Sequence, residues 1–133
     1  MMQARDMATV CRNKIKSVLV VEDEALILFD ISSALEDAGY DIAGEAVSLA
    51  AGWRAADQNE PEVAVLDINV GSETVWPLAR HLVAKGAALV FVSANLHHDE
   101  LKTEFACWPR LEKPVRCSQL VTAIEKATAG SAG

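Results

Sequence analysis

Ser17-Val18-Leu19-Val20-Val21 opens the patterned part of the chain, with four consecutive apolar residues that stop at Glu22-Asp23-Glu24. A continuous apolar run bounded by charge suits a strand buried on both faces of a parallel sheet, whereas an alternating run would suit a half-exposed one. From Ala25 the period changes. Leu28, Ile31, Leu35 and Ala38 recur at helical spacing, and Gly39 stands just past the predicted helix end, where a left-handed backbone is commonly needed. The unit then repeats. Residues 40–46 read as a weaker strand, Ser48 is placed to cap a helix carrying Leu49, Trp53 and Ala56, and Asn59-Glu60-Pro61 ends it. A strand over 63–66 ends at Asp67, a helix is predicted over 74–85, and a strand over 88–92 ends at Ser93. Residues 95–108 are polar and read as a loop with one short helix. A brief strand around Leu111 ends at Lys113-Pro114, and Ser118 is placed to cap a last helix with Leu120, Val121 and Ile124 along one side.

Five strands alternating with about five helices predict an α/β fold, a doubly wound parallel sheet with helices on both faces. The length of 133 residues allows one domain, expected over 17–129. Residues 1–16 read as a flexible N-terminal extension, and the Ala/Gly/Ser-rich residues 130–133 as a tail.

Composition narrows the function. A net charge of −7 argues against a duplex-binding surface, which needs clustered Lys and Arg, so no nucleic-acid partner is expected. No apolar run approaches the ~18–20 residues of a membrane span, and the basic, polar N-terminus lacks the apolar stretch of a signal peptide. The three cysteines, Cys11, Cys107 and Cys117, have no metal-ligand spacing and read as free thiols in a reducing compartment. A cytoplasmic location follows as the expectation.

The polar residues that close the apolar runs carry the chemistry. In open α/β sheets, ligands bind outside the carboxyl ends of the strands, at the topological switch point. Parallel strands would bring Glu22 and Asp23, Asp67, Ser93 and Lys113 to one edge of the sheet. Three carboxylates brought so close raise one another's pKa values unless a cation intervenes. Mg2+ (with Mn2+ as a substitute) suits hard oxygen ligands together with phosphate and water. With charge neutralised by metal and Lys113, one carboxylate can attack phosphorus and form an aspartyl phosphate.

Val20-Val21-Glu22-Asp23-Glu24, Val65-Leu66-Asp67-Ile68-Asn69, Val92-Ser93-Ala94 and Leu111-Glu112-Lys113-Pro114 together resemble the four motifs of response-regulator receiver domains, over about residues 16–129. The resemblance implies strand order 2-1-3-4-5. It implies Asp67 as phosphoacceptor, Asp23 as direct Mg2+ ligand, Glu22 as a second acid acting through water, and the Asn69 backbone carbonyl as a further ligand. Ser93 matches the switch hydroxyl, Lys113 the lysine that contacts the phosphoryl group, and the Lys113–Pro114 bond is expected to be cis. The implied partners are a histidine kinase or histidine phosphotransfer protein and a downstream protein target, with the chain a monomer or weak dimer. Output would be protein contact or phosphorelay with no attached output domain, the alternative being a receiver cut from a larger regulator. The chain departs from the family pattern at Arg110, where an aromatic switch residue is usual, at Val115, where Phe is frequent after Lys-Pro, and in Ile68-Asn69-Val70-Gly71-Ser72-Glu73, which lacks the usual proline. A changed readout is therefore expected from Arg110 and the loop beyond Asn69, with Arg110 and Pro114 as the switch and output positions.

Two other classes fit less well. A haloacid-dehalogenase-like phosphatase would show Asp-x-Asp after the first strand, whereas Asp67-Ile68-Asn69 follows the third and lacks the second acid. A flavodoxin-like carrier would not place Glu22-Asp23-Glu24 against a flavin phosphate. His97-His98 reads as solvated loop rather than a metal or phosphohistidine site, since neighbouring residues share no face. Trp53 reads as a packing residue, and for Trp76 and Trp108 packing is preferred over an exposed partner surface.

Overall fold

The computed structural model of the chain describes residues 16–132, with side chains to 129. Its elements in order are β1 (Ser17–Val21), α1 (Ala25–Asp37), β2 (Asp41–Ala46), α2 (Leu49–Asn59), β3 (Val63–Asp67), β4 (Asn69–Val70), β5 (Glu73–Thr74), α3 (Trp76–Ala84), β6 (Ala88–Ser93), α4 (Asp99–Lys102), β7 (Arg110–Glu112) and α5 (Cys117–Ala132). The expected flexible extension, Lys16 apart, lies outside the described residues.

Five parallel strands form one sheet in the order β2-β1-β3-β6-β7. Counting only the strands of that sheet, this is 2-1-3-4-5 as expected. The three central strands carry the continuous apolar runs, and their residues alternate between two cores. Val18, Val20, Val63, Val65, Val90 and Val92 face Leu28, Ile31 and Leu35 of α1 and Leu120 and Ile124 of α5. Leu19, Val21, Leu66, Leu89 and Phe91 face the other way, toward Ala56 of α2, Leu78 and Leu82 of α3, Leu101 of α4 and Phe105. A strand buried on both faces cannot alternate with polar residues, which is why these runs read so clearly.

The helices follow their signals with corrections. Ser48 caps α2, its hydroxyl accepting from Ala51 N–H at 3.1 Å. Close packing of α2 on α3 needs Gly52, where an added Cβ would lie 2.9 Å from Leu78 Cδ2. Helix α3 begins at Trp76 rather than 74, because Glu73 and Thr74 are taken by β5. Ser118 does not cap α5: the helix already includes Cys117, and Arg116 N–H donates to Gln119 Oε1 at 2.9 Å in the capping place. Helix α5 also continues past 129 to Ala132, so the backbone of 130–132 is helical rather than tail-like.

The largest unpredicted element is the antiparallel pair β4–β5, joined by Gly71-Ser72 and registered Asn69↔Thr74 and Val70↔Glu73. It stands directly after Asp67, at the edge where the polar residues meet.

Candidate functional site

Each predicted polar residue sits where its strand ends. Asp67 is the last residue of β3 and Ser93 the last of β6; both are buried, at 6% and 2% exposure. Glu22 follows β1 directly and is buried, with its N–H tied to Ala46 O at 2.9 Å. Asp23, next along the chain, is exposed. Lys113 follows β7, held by its N–H to Ser93 O at 2.9 Å, and the next bond, Lys113–Pro114, is cis.

The geometry is compact. One carboxylate oxygen from each of Glu22, Asp23 and Asp67 lies within 4.8 Å of the others. Lys113 Nζ lies 2.7 Å from Glu22 Oε1 and 3.3 Å from Asp67 Oδ2. The other oxygen of Glu22 accepts from Glu24 N–H at 3.1 Å, and Asp23 Oδ2 accepts from Gly71 N–H at 2.9 Å. Ser93 Oγ accepts from Asn95 N–H at 3.2 Å, which leaves its own proton available to an acceptor at the site. Asn69 opens β4 with its side chain exposed.

Electrostatics show what the arrangement lacks. Burial, then repulsion from Glu22, push the Asp67 carboxyl up to about 7, and Lys113 offsets only part of this. Burial pulls the Lys113 ammonium down, but the Glu22 and Asp67 carboxylates outweigh it and hold the group above its ordinary value. One lysine is thus shared between two buried acids beside a third, and negative charge remains uncompensated. A divalent cation with hard oxygen preference fits that donor set.

Some expected residues lie elsewhere. Arg110 does not reach the acids. Its guanidinium donates to three backbone carbonyls: Leu101 O at 2.6 Å, Ala106 O at 2.7 Å and Trp108 O at 3.2 Å. It thereby fastens the α4 segment to β7. Pro114 is exposed beside the site. His98 is not simply solvated: it precedes α4, and its ring stands edge-on to Trp76, centroids 5.6 Å apart. Trp76 is buried and stacks on Phe105 at 5.5 Å, whereas Trp108 is half-buried between the two cores. Cys107 and Cys117 are free and exposed, while Cys11 lies outside the described residues.

Sequence reasoning missed the Gly71–Asp23 bond and the hairpin that supplies it. The signal was present, since Gly-Ser between two short runs is a recognised two-residue hairpin loop.

Comparison with known proteins identifies the family and the fold. The model of the response regulator receiver domain matches residues 18–125. The transcriptional regulatory protein PdtaR of Mycobacterium tuberculosis is 30% identical over 115 residues, covering 84% of this chain and 56% of that protein. The chain thus spans about half the length of the curated relative it matches. Among solved structures, the signal receiver domain of a modulated diguanylate cyclase from Desulfovibrio desulfuricans G20 superposes with a TM-score of 0.79 at 24% identity, over 90% of this chain and 98% of that one. The receiver domain of the PhyR response regulator from Erythrobacter litoralis gives 0.73 at 24% identity, over 85% and 89%. At these identities the structures speak to the fold. The chain belongs to the response regulator receiver domain family, the signalling modules of two-component systems. Among the described residues no helix is long and apolar enough to cross a membrane.

Proposed function

We propose that the chain accepts a phosphoryl group on Asp67 from a phosphohistidine donor, a histidine kinase or phosphotransfer protein, and that phosphorylation alters its affinity for a protein partner. The observation that carries this reading is the shared lysine: Lys113 bridges Glu22 and Asp67 at the carboxyl edge, beside Asp23. Glu22, Asp23 and Asp67, with the Asn69 carbonyl, would hold Mg2+ (or Mn2+), which supplies charge neutralisation for the incoming phosphoryl group.

The protein's own steps are few. An Asp67 carboxylate oxygen forms the bond to phosphorus while the bond from phosphorus to the donor nitrogen breaks, and the donor imidazole takes up a proton as it leaves. Lys113 Nζ, already beside Asp67, pairs with the phosphoryl oxygens. The Ser93 hydroxyl donates to one of them, and its motion is passed to Asn95, whose N–H now rests on Ser93 Oγ.

NMR of the protein with Mg2+ and beryllofluoride, a phosphoryl mimic, tests the assignment. Wild type should show shifts spreading from residues 67, 93 and 113, and Asp67→Ala should show none. Lys113→Ala should still bind Mg2+ but lose most of the shifts beyond the site. An equal response in wild type and Asp67→Ala would refute the acceptor assignment.

A further inference from the structure

We propose that the β4–β5 hairpin is a positioning element for the cation site, with the Gly71 N–H fixing the Asp23 carboxylate so that metal binding and hairpin order favour each other. The inference rests on the reading of Glu22, Asp23 and Asp67 as Mg2+ ligands.

Asp23 needs such help. It is exposed at the start of the turn before α1, and an exposed carboxylate loses rotamer freedom when a metal orders it. Gly71 N–H already holds one of its oxygens, Oδ2, at 2.9 Å. A backbone N–H to an ionised carboxylate is a strong, short bond and fixes the direction of the group. It leaves Oδ1 of the same carboxylate for a cation. Metal ligands are commonly oriented this way by a second partner, and loss of that partner weakens affinity.

The hairpin can act as a unit. Its base is anchored by buried Ile68, Val70 and Val75, and Val75 N–H donates to Ile68 O at 2.9 Å. Its tip is exposed and has only two registered pairs, too few to be rigid alone. The tip turns through Gly71 at φ +64°, which glycine adopts without strain. Asn69, whose carbonyl is the expected fourth protein ligand, opens β4. One small element therefore carries both a ligand carbonyl and the N–H that orients another ligand. Coupling between two such events is reciprocal: whatever the hairpin adds to metal affinity, the metal returns as hairpin order.

Gly71→Ala is the informative variant. A Cβ at Gly71 meets nothing within 4 Å, so the substitution disturbs the tip through its backbone conformation alone and removes none of the acids. Calorimetric titration of EDTA-treated protein with MgCl2 should show Gly71→Ala binding about tenfold more weakly than wild type. Hydrogen exchange read by NMR gives a second arm that needs no substitution at 71. Saturating Mg2+ should slow exchange of the wild-type Gly71 amide, and Asp23→Ala should speed it in metal-free protein. Undiminished Mg2+ affinity in Gly71→Ala, or a Gly71 amide indifferent to Mg2+, would overturn the positioning role while leaving the metal site standing. A wild type that takes up no Mg2+ would overturn both.

Discussion

Asp67 shows how one buried acid sets the character of the site. Its carboxyl, raised to about 7 by burial and by Glu22, holds a proton in the folded protein at pH values where the unfolded chain has lost it. The native state then binds more protons than the unfolded state between about pH 4 and 7, and stability falls as pH rises through that window. The contribution is fully present below about pH 4 and gone above the folded value. The whole shift would amount to ~4 kcal/mol, but water at the mouth of the site screens it, and roughly 1–2 kcal/mol is expected. In EDTA, Asp67→Asn should therefore be more stable than wild type at pH 8 and nearly equal to it at pH 4, as measured by urea unfolding at each pH. A difference that does not change with pH would show that Asp67 is not held protonated by its surroundings. Asp67 and Ser93 were legible in the sequence because each closes an apolar run, and the end of a buried strand has a fixed place in the sheet; Lys113 follows the short, part-exposed β7 and was legible through its Lys-Pro motif. The partners of Arg110 were not legible. They are backbone carbonyls at Leu101, Ala106 and Trp108, and no side-chain pattern encodes a carbonyl.

At the scale of elements, that one arginine ties the segment from α4 onward to β7, while Arg80 of α3 holds the same segment from the other side through Glu104 at 2.7 Å. Helix α4 has four residues, too short to hold itself; Leu101 is its buried residue, and Phe105 is buried just beyond it. The Arg110 guanidinium adds to this by satisfying three carbonyls at once. A lysine ammonium is a single point charge and cannot span the same set. Arg110→Ala should cost about 1–3 kcal/mol, the value of charged hydrogen bonds partly replaced by water, and Arg110→Lys should recover little of it. Hydrogen exchange should locate the loss: amides of 101–108 should open ahead of the rest of the protein, while those of β1, β3 and β6 keep their protection. Uniform loss across the sheet would mean that Arg110 serves the core rather than this segment. The same scale explains the other misreadings. The hairpin's two-residue strands have no period to detect, so its Gly71-Ser72 turn was the one signal that could have marked it. Ser118 looked like a cap because its side chain is right for one, yet α5 starts a residue earlier with Gln119 reaching back to Arg116.

For the whole molecule, the sheet is a partition with a core on each side, and the same strands make both walls. Leu35 of α1 belongs to one core; Trp53 and Trp76 lie in or against the other. If the cores were independent, a cavity beneath α1 would leave Trp53 and Trp76 untouched and reach at most Trp108, which packs against both. Val18 and Val20 on one side alternate with Leu19 and Val21 on the other, however, and β3 and β6 repeat the arrangement. Neither core can lose a strand without breaking its neighbour, so the two faces should melt as one. Leu35 is fully buried, and Leu35→Ala should cost about 2–5 kcal/mol through lost burial and the cavity left behind. Urea unfolding followed by tryptophan fluorescence, which reads mainly the far core, should shift to the same lower midpoint as unfolding followed by far-UV circular dichroism, which reads every helix. A tryptophan transition that stays at the wild-type midpoint while the dichroism curve splits would show two separable cores, and would undo the view of the sheet as the element that makes this receiver domain a single cooperative unit.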